Sequence, residues 1–227
     1  MQYIKNNLEK VRNELSEAAT SANRTVEEVK LLAVSKRFPV EAIEIAYSAG
    51  QRAFGENKVQ ELEFKVPALP DDIEWHLIGH LQSNKVAKAV QLAKYIHSVD
   101  SEKLLKRIDR LANENNKIIK IFFEVNISGE ESKNGMTAQA SINLSKEISE
   151  YKNIELVGLM TMAPFSATSA ELDAVFAKTK SLMLKINEES NLSLSELSMG
   201  MSSDYKNAIA NGATIVRIGT SIFGKRD

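Results

Sequence analysis

One lysine of the sequence, Lys36, directly follows an apolar run. The run LLAVS (31–35) has the composition of a buried strand, and Lys36 comes at its end. A lysine at the mouth of a buried strand is partly desolvated, which lowers the pKa of its amine and frees it to form a Schiff base with a carbonyl group. Lys36 could equally be a surface lysine that begins a loop, and its position alone does not decide between the two.

A second group of residues could bind an anion. The segment VRIGT (216–220) ends a predicted strand, where Gly219 allows a close backbone approach and Thr220 offers an N–H and a hydroxyl. Ser198 and Ser202 of SMGMSSDY could add hydroxyl groups. An ordinary turn with a helix N-cap would use the same residue types. The predicted position, after the last two strands of a barrel, is nevertheless the common phosphate site of such folds.

Arg217 lies in a predicted strand whose other residues are isoleucine and valine. A buried arginine needs a partner, because an unpaired charge in the protein interior is costly. Arg217 could pair with a carboxylate such as Glu56, or it could face a nitrogen in the ring of a ligand. These two uses do not exclude each other.

Two histidines in WHLIGH, His76 and His80, suggest a pair of metal ligands. The zinc motif H-E-x-x-H is absent, the segment has the pattern of a strand, and a third ligand is not evident. We therefore predict no metal site. We expect both histidines to pack or to form hydrogen bonds at the mouth of the barrel.

All these residues follow short apolar segments that alternate with helical patterns. Segments rich in β-branched and apolar residues predict strands, and amphipathic or capped segments predict helices. The predicted strands span residues 29–35, 52–55, 73–79, 95–99, 118–127, 154–162, 194–200 and 214–219. The predicted helices span residues 2–20, 39–50, 84–93, 101–115, 137–151, 169–190 and 203–212. The first has Ile4, Leu8, Val11 and Leu15 on one face, and a capping box of Thr25 and Glu28 follows it.

Apolar strands that alternate with helices pair in parallel. Eight such units in 227 residues predict an α/β fold, a (β/α)₈ or TIM barrel with an extra N-terminal helix. A doubly wound open sheet is the alternative. No linker rich in Pro, Gly or Ser appears, so we predict a single domain over residues 1–227. The candidate residues would then meet at the C-terminal ends of the strands.

The composition excludes several classes of protein. Hydrophobic residues make up 43% of the chain, the formal net charge is −1, and there is no cysteine. No basic face for nucleic acid is predicted, and disulfides and thiolate metal sites are ruled out. The N-terminal sequence lacks the apolar core of a signal peptide, and no apolar run could cross a membrane. We therefore expect a cytoplasmic protein.

Several motifs together resemble those of one family, the pyridoxal phosphate homeostasis proteins of YggS/PROSC type. The resemblance runs from about residue 30 to the C-terminus, in order and at similar spacing. The motifs are AVSKRFP at Lys36, FGENKVQE at Asn57, WHLIGHLQSNK from Trp75, VNISGEESKNGM from Val125, GLMTMAP from Gly158, LSMGMSSDY from Leu197 and VRIGTSIFGKRD from Val216.

The resemblance implies a fold-type III barrel, like the N-terminal domain of alanine racemase, that binds pyridoxal 5′-phosphate (PLP). It implies that Lys36 carries the cofactor as a Schiff base and that Asn57 lines the ring pocket. It places the phosphate at Ser198, Gly219 and Thr220, and it places Arg217 near the pyridine nitrogen. Members of this family are regarded as lacking a confirmed enzymatic activity and as influencing the supply of PLP.

The residues themselves bear on the choice between an enzyme and a carrier. Racemisation needs a base on each face of the substrate, and Lys36 supplies one. Tyr205 could approach the mouth, but nothing makes it a base. The chain ends at Asp227, where the second domain of alanine racemase would begin, which also predicts a monomer. An arginine at the ring nitrogen leaves that nitrogen unprotonated and the ring a poor electron sink.

Three functions therefore remain open. The first is a PLP carrier, buffer or regulator without turnover, which could serve apo-forms of PLP-dependent enzymes. The second is a weak racemase or related PLP enzyme. The third is a phosphate-binding barrel enzyme without PLP. We favour the first.

Overall fold

Eight parallel strands form a closed barrel in which each strand pairs with the next one along the chain. The computed structural model describes residues 3–130, 134–164 and 166–225. The barrel closes where the last strand pairs with the first, with Leu32 beside Arg217 and Ala33 beside Ile218. The predicted barrel is confirmed, and the open sheet is wrong. The strands are β1 (Lys30–Val34), β2 (Ala53–Glu56), β3 (Glu74–Leu77), β4 (Tyr95–Val99), β5 (Ile119–Glu124), β6 (Ile154–Met160), β7 (Glu196–Met201) and β8 (Ile215–Ile218).

Helices connect the strands on the outside of the barrel. None in the described ranges is both long and apolar enough to span a membrane. The α-helices are α1 (Tyr3–Ser21), α2 (Val40–Ser48), α3 (Val59–Lys65), α4 (Val86–Leu92), α5 (Glu102–Glu114), α6 (Ala138–Lys146), α7 (Ser169–Ser190), α8 (Tyr205–Ala210) and α9 (Thr220–Phe223). Short 3₁₀ turns lie at Val26–Glu28, Val66–Ala68, Ser83–Lys85 and Ile148–Glu150.

The predicted elements agree with the observed ones except in three places. Each predicted strand overlaps an observed strand, and α7 has the predicted bounds. The helix predicted over residues 137–151 ends as α6 at Lys146, and a 3₁₀ turn follows. Helices α3 and α9 were not predicted. Helix α3 is short and is followed by two prolines, Pro67 and Pro70, which resemble the punctuation of a loop.

The N-terminal helix covers the seam at which the barrel closes. Its predicted apolar face is confirmed, because Ile4, Leu8, Val11 and Leu15 are all buried. Two of its polar side chains hold α9. The hydroxyl of Tyr3 donates to the carbonyl of Phe223 at 3.2 Å, and the side-chain amide of Asn7 donates to the carbonyl of Ile222 at 2.9 Å. Helix α1 therefore fixes the segment that follows β8.

The interior of the barrel has an apolar middle and a charged floor. We call the end formed by the strands' first residues the floor and the opposite end the mouth. The apolar middle consists of Leu32, Ala53, Tyr95, Phe122, Val157, Met160 and Ile215, with Ile78 packed against them. At the floor, Glu74 accepts from Lys30 at 2.8 Å and from Lys94 at 2.9 Å. These ion pairs lie at the end away from Lys36, so the mouth is left for the candidate site.

Candidate functional site

Lys36 is the second residue of a tight turn that follows β1. The N–H of Phe38 donates to the carbonyl of Ser35 at 3.0 Å, which closes a four-residue turn. Arg37, the third residue, has a φ of 65°, as the third residue of a type II turn does. That conformation usually requires glycine or asparagine, so an arginine there shows that the surroundings impose the turn. The turn carries Lys36, partly buried, at the mouth beside β2.

Asn57 shares a cavity with Lys36, as the predicted ring pocket requires. The cavity has a volume of about 190 Å³ and is lined by Lys36, Arg37, Asn57, Lys58 and Glu61. Gly79, in the connection that follows β3, allows its backbone to approach that of Asn57 closely. A Cβ atom at Gly79 would lie 2.3 Å from the carbonyl oxygen of Asn57, so only glycine allows the two backbones to approach.

Arg217 lies inside the barrel near the mouth and is only 5% exposed. Its guanidinium donates from Nη1 to the carbonyl of Ser198 at 2.6 Å and from Nη2 to the carbonyl of Thr161 at 2.9 Å. Burial lowers the pKa of Arg217 to about 10, against the opposing effect of Asp204 and Glu124. The arginine is thus still charged at neutral pH. Among the described residues, no carboxylate forms an ion pair with it within 4.0 Å.

The predicted partner Glu56 does not pair with Arg217, so that alternative is wrong. Glu56 lies at the end of β2 and accepts hydrogen bonds from Ser35 and Lys65, each at 2.7 Å. The physical reason is that Glu56 has a nearer cation. Lys65 projects from α3, a helix that the sequence reading did not predict. Among the described residues, the acceptors of Arg217 are a hydroxyl and two carbonyl groups. The other alternative, that Arg217 faces a nitrogen in the ring of a ligand, stays open.

Ser198, one of the residues predicted for the phosphate, lies inside the barrel. It is fully buried, and its hydroxyl oxygen accepts a hydrogen bond from Arg217 Nη1 at 2.8 Å. The same oxygen lies 2.9 Å from His97 Nδ1, and His97 Nε2 lies 2.9 Å from His76 Nδ1. Burial lowers the pKa of His97, and it lowers that of His76 to about 3, so both rings are neutral. A neutral chain of hydrogen bonds therefore runs down the barrel from Arg217.

The other predicted phosphate residues lie at the mouth. Ser202 is in the turn after β7 and is partly exposed, Gly219 ends the β8 segment, and Thr220 is exposed as the first residue of α9. The first backbone bonds of α9 are those from Ile222 and Phe223 to the carbonyl of Gly219. The N–H groups of Thr220 and its neighbour thus precede the bonded part of the helix.

Gly200 brings the turn after β7 close to helix α8. It has a φ of 93°, and a Cβ there would lie 2.6 Å from the Cβ of Ala208. A stacked pair of aromatic rings connects helix α9, which follows β8, to the turn that carries Lys36. The rings of Phe38 and Phe223 lie 5.1 Å apart between centroids. The turn after β1 and the helix after β8 are therefore packed against each other.

The two histidines of WHLIGH lie in different surroundings. His76 is inside the barrel, with its ring stacked on that of Tyr95 at 4.2 Å, whereas His80 is exposed, with Nδ1 3.5 Å from Asp100 Oδ2. Within the described ranges, no group of three metal-type side chains is close enough together to hold an ion. The expectation of packing and hydrogen bonding is confirmed for His76, which stacks on Tyr95 and lies within hydrogen-bond distance of His97. The expectation that both lie at the mouth is wrong for His76, since the inward side of β3 carries it into the core.

Tyr205 is not at the mouth. It is buried on α8, and its hydroxyl donates to Glu14 of α1 at 2.8 Å. Burial, together with that carboxylate, raises the pKa of Tyr205 above its usual range. The hydroxyl is therefore unsuited to act as a base.

Four residues that shape this region were not predicted. Lys65 and Glu61 contact the lysine turn, and His97 and Thr161 contact the Ser198–Arg217 pair. The Glu61–Lys65 spacing of four residues is a typical helical ion pair and was the one available signal. For His97 and Thr161, the signal was only their place inside the predicted strands 95–99 and 154–162.

Comparison with known proteins identifies the family of this chain. The family described as alanine racemase, N-terminal domain, matches residues 4–227. A pyridoxal phosphate homeostasis protein of Synechocystis is 42% identical over 200 residues, which cover 87% of this chain and 92% of the relative. This chain therefore belongs to the alanine racemase N-terminal domain family and, within it, to the pyridoxal phosphate homeostasis proteins.

Solved structures show the same barrel. PipY of Synechococcus elongatus, in a structure with PLP bound, is 40% identical, with a TM-score of 0.88 over 97% of this chain and 100% of PipY. Alanine racemase of Corynebacterium glutamicum is 14% identical, with a TM-score of 0.75 over 100% of this chain and 62% of the racemase. The second likeness concerns the fold alone.

Proposed function

We propose that this chain binds PLP at the mouth of the barrel, covalently through Lys36, and serves in the homeostasis of that cofactor as a carrier or buffer. The observation that carries the proposal is the placement of two cations. Lys36 follows β1 and the buried Arg217 lies on β8, and these two strands are paired neighbours. The bound PLP in the related PipY supports the same ligand for this chain.

The residues at the mouth fit such a ligand. A buried guanidinium that forms no ion pair with any described residue favours an electron-rich acceptor, such as a pyridine nitrogen. The corner formed by Ser202, which is partly exposed, the buried Gly219 and the exposed Thr220 offers hydroxyl and N–H donors for a phosphate. When bound, PLP supplies an aldehyde that reacts with amines and a ring whose electron-withdrawing power depends on the charge at its nitrogen.

Ser202, Gly219 and Thr220 are the residues that we propose for the phosphate. Ser198 is assigned a different role because its hydroxyl already contacts Arg217 and His97 inside the core. In this proposal Ser198 and the carbonyl of Thr161 hold Arg217 in place. Asn57 borders the cofactor ring from the β2 side.

Arg217 also favours binding over turnover. A guanidinium donates hydrogen bonds but does not give up its proton at neutral pH, so it leaves a ring nitrogen unprotonated. An unprotonated ring is a weak electron sink, which disfavours reactions through a carbanion. The hydroxyl of Tyr205 is held by Glu14 on the outside of the barrel and supplies no second base. We therefore propose a protein that holds PLP without converting amino acids.

A transfer experiment tests the carrier function. Purified holo-protein is mixed with an apo-form of a PLP-dependent enzyme, and the recovery of enzyme activity is timed against the same concentration of free PLP. We expect recovery together with loss of the visible absorbance of the donor protein. A donor that keeps its cofactor would contradict transfer. A protein that binds phosphate but shows no visible band with PLP would favour the phosphate-binding barrel without PLP.

Solvent exchange tests the absence of turnover. The holo-protein is incubated with alanine and other amino acids in deuterium oxide, and deuterium at the α-carbon is measured by NMR. We expect exchange far slower than about 1 s⁻¹, the low end for ordinary enzymes. Exchange at that rate or faster would contradict the carrier proposal and support the hypothesis of a racemase. The cytoplasmic and monomeric states stay predictions, and light scattering of the pure protein tests the second.

A further inference from the structure

A cluster of three charged side chains, two of them buried, lies against the turn that carries Lys36. The cluster consists of Lys65 and Glu61 on α3 and Glu56 at the end of β2. We propose that these three are positioning residues, which hold the turn so that the amine of Lys36 is presented to the cofactor. The proposal rests on the proposed function, in which Lys36 is the point of attachment.

Lys65 is the centre of the cluster. It is 3% exposed, and its ammonium donates to the carbonyl of Ser35 at 2.9 Å, to Glu56 Oε1 at 2.7 Å and to Glu61 Oε2 at 2.8 Å. An ammonium has three hydrogens, so each is used. One of them fixes the backbone of the residue immediately before Lys36.

Glu61 fixes the backbone on the other side of Lys36. Its Oε2 accepts the N–H of Arg37 at 2.6 Å, in addition to the hydrogen bond from Lys65. Arg37 has the positive φ that the turn requires and that an arginine disfavours. A short hydrogen bond from this N–H to a carboxylate stabilises the disfavoured conformation.

Glu56 completes the cluster from the strand below. Its Oε1 accepts the hydroxyl of Ser35 at 2.7 Å, so both the side chain and the carbonyl of Ser35 are held. Its other oxygen, Oε2, is buried and has no hydrogen-bond partner among the described residues. A carboxylate left half-satisfied in the core is costly, and the ion pair with Lys65 offsets that cost.

The arrangement acts on attachment because all three contacts with the turn fall on the neighbours of Lys36. Ser35 is held at two points by Lys65 and Glu56, and Arg37 is held at one by Glu61. A covalent step needs its reacting atoms aligned, and a displacement of about 1 Å can cost on the order of a hundredfold in rate. The cluster should therefore set how fast PLP attaches to Lys36, and not only how stable the barrel is.

The test compares two lysines that make ion pairs at opposite ends of the barrel. Lys65→Met removes the centre of the cluster, and Lys30→Met removes a lysine that pairs with Glu74 at the floor. Apo-proteins are mixed with PLP, and the rise of the visible band is followed by stopped flow. We expect Lys65→Met to slow attachment on the order of tenfold to a hundredfold and Lys30→Met to leave it within about twofold.

A second pair of variants covers the case in which Lys65→Met does not fold. Glu61 is less buried, and Glu61→Ala removes the acceptor of the Arg37 N–H. Glu61→Gln keeps an amide oxygen in its place. We expect slower attachment in Glu61→Ala and substantial recovery in Glu61→Gln. We also expect the pH midpoint of the visible band to move in Glu61→Ala, which a purely structural role would not produce.

The outcomes separate the two proposals. If wild type shows no visible band with PLP, or carries the cofactor on another lysine, the proposed function fails. If wild type attaches PLP through Lys36 but folded Lys65→Met and Glu61→Ala react as fast as Lys30→Met, the cluster has no positioning role. Equal rates for Glu61→Ala and Glu61→Gln, with an unmoved pH midpoint, would also contradict it.

Discussion

The two sides of the barrel mouth are held in different ways. On the β1 side, the turn around Lys36 is fixed by charged side chains, Lys65 and Glu61 among them. On the β8 side, Arg217 is fixed by two backbone carbonyls and by the hydroxyl of Ser198. The carbonyl groups that accept from Arg217 remain when the side chains of their residues are substituted. Each contact of the lysine turn, in contrast, is lost when the one charged side chain that makes it is substituted. The β1 side should therefore be the more sensitive to single substitutions outside the site.

The largest effect is expected from Lys36 itself. Lys36→Ala should abolish the visible band and covalent capture, because it removes the proposed attaching amine, and it should leave the fold intact. Borohydride reduction of loaded wild type, followed by mass spectrometry, should find the label on the peptide that contains Lys36. Lys58→Ala is the matched control, since Lys58 lines the same cavity. A label that lies mainly on another lysine would show that the site assignment is wrong.

A smaller effect is expected on the β8 side. Arg217→Met should weaken PLP binding about tenfold or more, since hydrogen bonds from charged groups contribute roughly 1.5–3 kcal/mol. The visible band should remain at saturating PLP because Lys36 is present. Titration of the band with PLP measures both quantities. Loss of the band at saturation in a folded protein would show that the two sides do not act separately.

Two serines separate the phosphate corner from the support of Arg217. Ser202→Ala should weaken PLP about tenfold but leave non-phosphorylated pyridoxal nearly unchanged, since it removes one hydrogen bond to an anion. Ser198→Ala should weaken both ligands to a similar degree, because it acts through Arg217. Thr220→Ala should behave like Ser202→Ala. If Ser198→Ala discriminated between the ligands and Ser202→Ala did not, the two assignments would have to be exchanged.

The smallest effect is a pH dependence of stability from Glu56. Burial raises the pKa of Glu56 from 4.5 to about 7 in the folded protein. Between these values the folded state holds a proton that the unfolded state has lost, so this contribution to stability falls as pH rises from 4.5 to 7. Glu56→Gln removes it. The melting temperature of wild type minus that of the variant should therefore fall across this window and be level above it. A difference that rises with pH would contradict the shift.

Much of this molecule could be predicted from its sequence, for physical reasons. The alternation of apolar strands and helices predicts the barrel. The barrel brings Lys36 and Arg217 towards the same end, because Lys36 follows β1 and Arg217 lies near the end of β8. Helix α3 could not be recognised, because its seven residues are few and two prolines follow. The burial of Lys65 could not be predicted either, since its partner Ser35 lies thirty positions away.

Depth inside the barrel was the other quantity that the sequence does not contain. Strand periodicity tells which residues point inward, but the stagger between strands decides how far each lies from the mouth. Ser198 and Ser202 are close together in the sequence, yet Ser198 is buried beside Arg217 and Ser202 is partly exposed. For the same reason, the sequence predicts His76 at the mouth, whereas the structure has it in the core.

The seam between β1 and β8 has a consequence for how the protein is made. Lys30 at the start of the first strand pairs with Ile215 in the last, so the barrel closes only after nearly the whole chain has left the ribosome. Contacts so distant in sequence form slowly, because a long loop must be closed before they contribute. The proposed attachment lysine is synthesised early, but its partner strand comes last. A nascent chain should therefore be unable to capture cofactor until synthesis is nearly finished.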